Sequence, residues 1–230
     1  MSNRFWRTAA VACAAVCLSV PASAQQTLNF SLGYFAPKGY DARVQGDVLV
    51  ANNDFLIFDV SDFGGAAVGG EWLVPFGRYV EGGVGIQFTR RTVPSVYADF
   101  EDPDGTEIDQ DTRLRRVPID FTVRILPFGQ NIGVQPYFGA GLTAINWRYS
   151  EFGEFVNFDA GGRIFRGDFT ANGTQAGAVA LGGIRFAGRG GSAGFEVRYH
   201  KADAPLSTDF AGSRLDLGGW TYQFTAGLRF

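Results

Sequence analysis

The sequence of 230 residues predicts an all-β fold, an eight-stranded antiparallel transmembrane β-barrel with short periplasmic turns and long extracellular loops. Three observations predict it. Glycine contributes 32 residues and phenylalanine 22, which favours strands and tight turns, because glycine costs a helix about 1 kcal/mol relative to alanine. Apolar and polar residues alternate with period two in many segments. Short turns rich in glycine and proline alternate with long polar connections.

Residues 1–24 are interpreted as a secretory signal peptide. Two arginines supply a basic start, Thr8–Val20 is a short apolar stretch, and Ala22-Ser23-Ala24 is a small-residue cleavage site. The apolar stretch is shorter than the roughly 20 residues that a membrane-spanning helix needs. We therefore expect cleavage near Ala24, with the barrel domain occupying residues 25–230.

Cleavage at this site removes both cysteines, Cys13 and Cys17. The mature chain is therefore expected to have no disulfide, no thiolate nucleophile and no cysteine-bound metal. A lipid-modified cysteine is the rival interpretation, but Val16 is bulky at the position before Cys17, where lipoprotein signals have a small residue. The signal holds two of the 20 basic residues and none of the 23 acidic ones. The mature chain thus has 18 basic and 23 acidic residues, a net charge of −5, and no basic patch for nucleic acid.

The last segment of the chain shows the alternation most clearly. Its apolar face runs from Trp220 to Phe230, and its other face carries Thr221, Gln223, Thr225, Gly227 and Arg229. The polar faces of this and similar segments are poor in lysine and rich in glycine, which is typical of a packed lumen and not of a water-facing sheet. We expect strands at approximately 27–37, 64–75, 79–92, 112–126, 133–149, 173–187, 193–201 and 216–230.

Four long polar connections separate these strands on the side that we assign as extracellular. They are approximately Pro37–Phe63, Pro94–Asp111, Glu151–Asn172 and Lys201–Leu215. The first contains two apolar stretches, Val48–Val50 and Phe55–Phe58, which either extend strands beyond the membrane or cap the barrel. The second contains seven carboxylates within Asp99–Asp111. Because Pro103-Asp104-Gly105 is a turn signal, a solvated hairpin tip is favoured there over a divalent-cation site.

Nine charged residues are expected on the lumen faces of the strands: Glu71, Glu81, Arg91, Asp120, Arg124, Arg185, Glu196, Arg198 and Arg229. Buried charges must pair, because an unpaired one costs several kcal/mol, and the planar fork of arginine suits carboxylates. A structural plug of ion pairs is favoured, since eight strands leave an interior only wide enough for side chains. A narrow or gated ion path is the alternative. The lumen glycines lack the strand–loop–helix context of a phosphate cradle, so no cofactor is expected.

The alternation that ends in Phe230 resembles the last strand of bacterial outer-membrane barrels, and Pro136–Gly141 and Glu196–Tyr199 resemble their internal strands. The mature chain as a whole is similar to eight-stranded outer membrane β-barrel proteins loosely related to OmpA and OmpW. The resemblance implies a place in the bacterial outer membrane, with its lipids and lipopolysaccharide as partners. It also implies that the barrel-assembly machinery reads the apolar face of the last strand, which includes Tyr222, Phe224, Leu228 and Phe230.

Members of this group act as anchors, narrow channels, adhesins, receptors or lipid-modifying enzymes. We expect a non-enzymatic structural or surface-binding role through the extracellular loops, with an extracellular ligand that stays unknown. A narrow porin-like channel for ions or small hydrophilic solutes and a lipid A-modifying enzyme are the alternatives. Such enzymes pair a histidine with a serine and an acid, but the lone histidine, His200, is followed two positions later by Ala202, and Ser207 lies beyond Pro205. We therefore assign no catalytic residue and no metal ligand.

Overall fold

The computed structural model describes residues 26–157 and 161–230. The predicted signal peptide, its cleavage site and both cysteines lie outside the described residues. Eight long strands, numbered in chain order, build the fold. They are β1 (Thr27–Pro37), β2 (Gly65–Pro75), β3 (Val80–Glu101), β4 (Glu107–Ile125), β5 (Val134–Asn157), β6 (Arg163–Ala187), β7 (Gly191–Lys201) and β8 (Gly219–Arg229).

These strands form a closed ring in which each is antiparallel to both neighbours. β1 pairs with β2 on one side and with β8 on the other, so that Thr27 lies opposite Arg229. Gln26 and Phe230 prolong the closing pair through backbone hydrogen bonds of 2.9 and 3.0 Å. Closure satisfies backbone groups inside a membrane, which an open sheet edge cannot do. The predicted eight-stranded antiparallel barrel is confirmed.

An apolar belt surrounds the outside of the barrel. It consists of alternate, solvent-accessible positions on all eight strands, among them Leu28, Phe30, Leu32, Val68, Trp72, Val84, Ile86, Phe88, Ile119, Phe121, Val123, Phe138, Leu142, Ile184, Phe195, Tyr222, Phe224 and Leu228. Phe224 and Leu142 are 71% and 70% exposed, a waste of apolar surface in water but the expected surface against lipid. Residues between them, such as Thr122 and Gln223, are buried in the lumen.

Four strands, β3 to β6, continue past the belt on the extracellular side. They contain 22, 19, 24 and 25 residues, against 11 in each of the other four. We call this protruding four-stranded sheet the extension. The predicted loops at 94–111 and 151–172 are therefore mostly strand, which corrects their boundaries. Charged residues on the outward face concealed the alternation. The inward face packs a small apolar cluster of Leu56, Tyr97, Ile108 and Val156.

The β3–β4 hairpin carries the acidic run at its tip. Gly105 has a φ of 85°, and the Asp102 N–H donates to the carbonyl of Thr106 at 2.9 Å. The Thr106 hydroxyl and N–H both donate to Asp104, at 2.7 and 3.1 Å, and these bonds hold the pKa of Asp104 below its ordinary value. Among the described residues, no group of three or more histidines, cysteines or acids could hold a metal ion.

The first and fourth extracellular loops fold back over the mouth of the barrel. Loop 1 contains the helix α1 (Val48–Asn52) between two 3₁₀ turns, Tyr40–Ala42 and Val60–Phe63. Loop 4 contains a two-stranded ribbon in which Asp203–Pro205 pairs with Arg214–Asp216. None of the helices in the described part of the chain is long and apolar enough to cross a membrane.

The two apolar stretches of loop 1 have different fates. Val48 and Leu49 are fully buried in the mouth, whereas Leu56–Ile57 adds a short strand to β3. Residues 48–50 thus cap the barrel, and 56–57 extend its sheet. The apolar filling of the mouth, which we call the mouth cluster, comprises Val48, Leu49, Val60, Phe63, Val93, Leu114, Ile145, Trp147, Tyr149, Ala202, Ala204, Phe210, Leu215 and Leu217.

Candidate functional site

The middle of the lumen holds an ion-pair network built from inward positions of β2, β4 and β7. Arg198 lies at its centre. Its Nη2 is 2.7 Å from Glu71 Oε2, its Nη1 is 2.9 Å from Asp120 Oδ2, and its Nε donates to Glu196. One guanidinium therefore contacts three carboxylates from three strands, a use of its fork that a lysine ammonium cannot reproduce.

Arg124 completes this layer from β4. Its Nη2 contacts Glu71 and lies 2.8 Å from Glu196 Oε2, and its guanidinium carbon is 4.9 Å from the centre of the Tyr137 ring. Tyr137 in turn donates its hydroxyl to Glu196 at 2.9 Å. Glu196 is fully buried, and partners on several strands offset the cost of removing its charge from water.

A second layer lies nearer the periplasmic end. Arg185 binds Glu81 through two hydrogen bonds of 2.7 and 3.1 Å, and its Nε donates to Gln135 Oε1 at 2.9 Å. Arg229 donates to the same Gln135 oxygen at 3.3 Å. These contacts join β3, β5, β6 and β8 across the lumen. Together with the middle layer they hold eight of the nine charged residues that the alternation assigned to the lumen.

Arg91 is the residue that the alternation misplaced. It is exposed, and its Nε donates to the backbone carbonyl of Asp62 in loop 1 at 3.0 Å. The reason is that β2 begins only at Gly65, at the level of Arg91, so the barrel wall ends beside it and the nominally inward face opens to solvent. Arg91 therefore belongs to the extracellular rim and not to the lumen network.

His200 and Asp120 form a buried pair at the extracellular end of the network. The Nε2 atom of His200 lies 3.1 Å from both carboxylate oxygens of Asp120. Its other ring nitrogen, Nδ1, has no hydrogen-bond partner among the described residues. Ser207 is exposed in loop 4 and bonds Asp209 instead. The geometry thus contains a histidine–acid pair without the hydroxyl nucleophile that acyl-transfer chemistry needs within about 3 Å.

Loops 1 and 4 are joined above the mouth cluster by a second set of ion pairs. Asp47 accepts from Arg43 Nε at 2.7 Å and from the N–H of Asp216 at 2.6 Å. Asp216 accepts from Lys38 Nζ at 2.7 Å. Asp47 also caps α1, because its carboxylate accepts from the Leu49 N–H at 3.0 Å. One carboxylate therefore both begins the helix and fastens it to loop 4.

A buried polar triad attaches α1 to β5. The Asn52 side-chain amide donates to Glu151 Oε1 at 2.7 Å and approaches the Tyr149 hydroxyl at 3.2 Å, and that hydroxyl donates to the same Glu151 oxygen at 2.6 Å. The triad lies in the extracellular continuation of the barrel, above the apolar belt. Burial raises the pKa of Glu151 and raises that of Tyr149 well above its ordinary value.

Sequence analysis did not identify the residues that close the mouth. Their positions depend on contacts between loops far apart in the chain. One local signal was present, because an aspartate directly before the apolar run Val48–Val50 is a typical helix N-cap. Nothing comparable marked Asp216 or Glu151, whose partners lie about 170 and 100 residues away along the chain.

The apolar residues of the predicted assembly signal lie on the outward face of β8. Tyr222, Phe224, Leu228 and Phe230 are 44%, 71%, 60% and 69% exposed. This position is accessible from outside the barrel. Their role in assembly stays a prediction.

No protein-family model and no curated protein matches the sequence. Among solved structures the chain is similar to the outer membrane protein OprG from Pseudomonas aeruginosa, with 12% identity and a TM-score of 0.51, over 90% of this chain and 96% of that one. It also matches Neisserial surface protein A, with 13% identity and a TM-score of 0.43, over 89% and 95% of the two chains. The Escherichia coli outer membrane protein W matches with 14% identity and a TM-score of 0.37, over 91% and 100%. The likeness to OprG concerns the fold alone, that of an outer membrane β-barrel.

Proposed function

We propose that this protein is an integral protein of the bacterial outer membrane with a non-enzymatic, surface-binding role, in which a closed barrel anchors the extracellular extension. The observation that carries the proposal is the double closure of the interior. Arg198, Arg124 and their carboxylates fill the lumen from wall to wall, and the mouth cluster closes the extracellular end. A solute path would require both fillings to move.

The extension supports the binding part of the proposal. β7 ends at Lys201, opposite Ala178 of β6, so β6 has no strand partner on that side from residue 163 to residue 177 within the described chain. An exposed strand edge presents unpaired backbone groups to which an extended segment of another protein can add. The barrel would thus hold a ready edge outside the cell without taking part in any reaction.

Conductance of the refolded full chain in a planar bilayer tests the proposal. We expect no steady conductance from the wild type, because the ion pairs and the mouth cluster occupy the path. The matched variants are Arg198→Ala, which loosens the lumen, and Arg91→Ala, which removes a rim arginine outside it. Steady conductance of the wild type, with Arg198→Ala changing only ion selectivity, would replace the closed anchor by a channel.

A second measurement addresses the enzymatic alternative. The mass spectrum of lipid A from cells that express the protein should equal that from cells with an empty vector. A mass change that His200→Ala abolishes would identify a lipid A-modifying enzyme and overturn the non-enzymatic assignment.

A further inference from the structure

Three arginines form a row across the outer surface of the barrel. Arg90 of β3 lies directly opposite Arg115 of β4, and Arg115 lies directly opposite Arg148 of β5. All three occupy outward positions, two residues beyond Phe88, Val117 and Asn146 on their strands. Adjacent strands are about 4.8 Å apart, so the Cα atoms of the row span about 10 Å. We call these three residues the arginine row.

The row lies where the apolar belt ends. On β3 the outward residues below Arg90 are Phe88 and Ile86, and on β4 those below Arg115 are Val117 and Ile119. Above the row the outward positions become polar, beginning with Thr92 and Arg113. This boundary between apolar and charged surface is the level at which lipid headgroups meet a barrel wall.

The arrangement is unfavourable for the protein alone. Like charges directly opposite each other on neighbouring strands destabilise a sheet. Among the described residues, none of the salt bridges involves Arg90, Arg113, Arg115 or Arg148. Arg115 has only a neutral partner, because its Nη2 donates to Asn146 Oδ1 at 3.0 Å while its Nε has no partner in the described chain.

Arg113 adds a fourth guanidinium one pair above the row. Its Nε donates to the Thr92 hydroxyl at 3.0 Å, and its guanidinium carbon is 4.8 Å from the centre of the Phe152 ring. These contacts hold the side chain along the sheet surface and leave its other N–H groups free of carboxylates. The patch therefore presents four positive charges on three strands, with hydroxyl and amide groups between them.

We propose that the arginine row binds the phosphate groups of a phosphorylated glycolipid of the outer leaflet, with its acyl chains along the apolar belt below. Guanidinium groups bind phosphate oxygens through paired hydrogen bonds, and phosphate adds the negative charge that the row lacks. A lipid is favoured over free phosphate because the apolar belt continues directly below the row. The inference rests on the proposed outer-membrane location and adds a site and a ligand class to it.

The test uses the refolded full chain in detergent micelles, with diphosphoryl lipid A as the probe and native mass spectrometry as the readout. The variant Arg90→Gln/Arg115→Gln/Arg148→Gln should bind the lipid about tenfold more weakly than the wild type, and its binding should depend less on salt. The control variant Arg78→Gln/Arg163→Gln/Arg189→Gln removes three arginines from the periplasmic turns and the extracellular tip. It should bind as the wild type does.

Three results would overturn the proposal. They are equal binding by the row variant and the wild type, equal binding of dephosphorylated lipid A, and displacement of the lipid by inorganic phosphate at an equal concentration. Heat-modifiable gel migration reports whether each variant is folded. If the row variant does not fold, the replacement of all three by lysine, with Arg115→Gln alone beside it, keeps the test. The lysine variant should retain most of the binding, and the single variant should lose part of it. Wild-type conductance is measured separately, so failure of lipid binding in a closed barrel overturns the site and leaves the anchor.

Discussion

The lumen and the mouth of this barrel are both filled, but by opposite chemistry. The lumen is filled by arginines and carboxylates that the barrel strands supply, as in the contacts of Arg198 with Glu71 and Asp120. The mouth is filled by apolar side chains that two loops bring back over the opening, with Leu49 at 0% exposure. The first filling is part of the wall, whereas the second is a separate piece fastened to it.

This difference teaches where the molecule can move. A buried ion pair cannot lose one member without leaving an uncompensated charge, so the lumen should open only with the barrel itself. A loop held by apolar packing and a few polar contacts can detach as a local unit while the strands stay paired. The extracellular closure is thus the weaker of the two.

The largest expected effect is in the lumen. Arg198→Ala leaves three carboxylates without their shared partner, so the free energy of unfolding should fall by about 3–5 kcal/mol. Urea titration of the refolded barrel measures it. Arg91→Ala is the matched control, because its side chain is exposed at the rim, and should change stability little. Equal effects of the two substitutions would show that water already reaches Arg198.

The outward face should respond next most strongly. Phe121→Arg places a charge on the apolar belt and should destabilise the barrel by about 2–4 kcal/mol in a bilayer. Thr122→Arg at the next position points into the lumen and should depend on the room available beside Glu71. The measurement is unfolding in lipid vesicles. Tolerance of Phe121→Arg, with a lipid-facing probe signal at position 122, would invert the register of β4.

In the mouth the expected effect is smaller and local. Leu49→Ala removes a buried side chain of α1, which should weaken docking of the helix by about 2 kcal/mol, the lower end for core truncation. Hydrogen exchange should show lower protection for the amides of α1 and unchanged protection for those of β8. Loss of protection in both places would show that mouth and barrel unfold together, and the comparison drawn above would fail.

The smallest effect is a pH dependence of the same helix. Burial raises the pKa of Glu151 in the docked state, so docking is favoured while the carboxyl is protonated and weakens as the pH rises through the raised pKa. Protection factors for α1, corrected for intrinsic exchange, should therefore be higher near pH 5 than near pH 8. Glu151→Gln should remove the difference. Protection that increases with pH in the wild type would contradict the sign.

The contrast between lumen and mouth also explains what the sequence could predict. Strand alternation is a local property, so it assigned Glu71, Arg124 and Glu196 to the interior from their spacing alone. It went wrong at Arg91, because inward means buried only while both neighbouring strands continue. It also ended β3 and β4 too early, since the acidic outward face of the extension hid a buried inward face that includes Ile108.

The mouth could not be predicted in the same way. Asp47 and Asp216 are 169 residues apart, and nothing in the spacing of either residue points to the other. The arginine row has the same origin, because Arg90, Arg115 and Arg148 become neighbours only through the register of β3, β4 and β5. Each is an ordinary surface arginine in the sequence, and the register turns them into a site.

The length of the extension has a consequence for recognition by antibodies. β3 continues for 11 residues from Arg90 to Glu101, which at about 3.3 Å per residue is roughly 35 Å along the strand. The turn at Asp102–Thr106 is thereby lifted clear of the headgroup level, whereas loop 4 folds down into the mouth. An epitope inserted at Gly105 should be reached by an antibody on intact cells, and the same epitope at Ala204 should stay hidden within the fold.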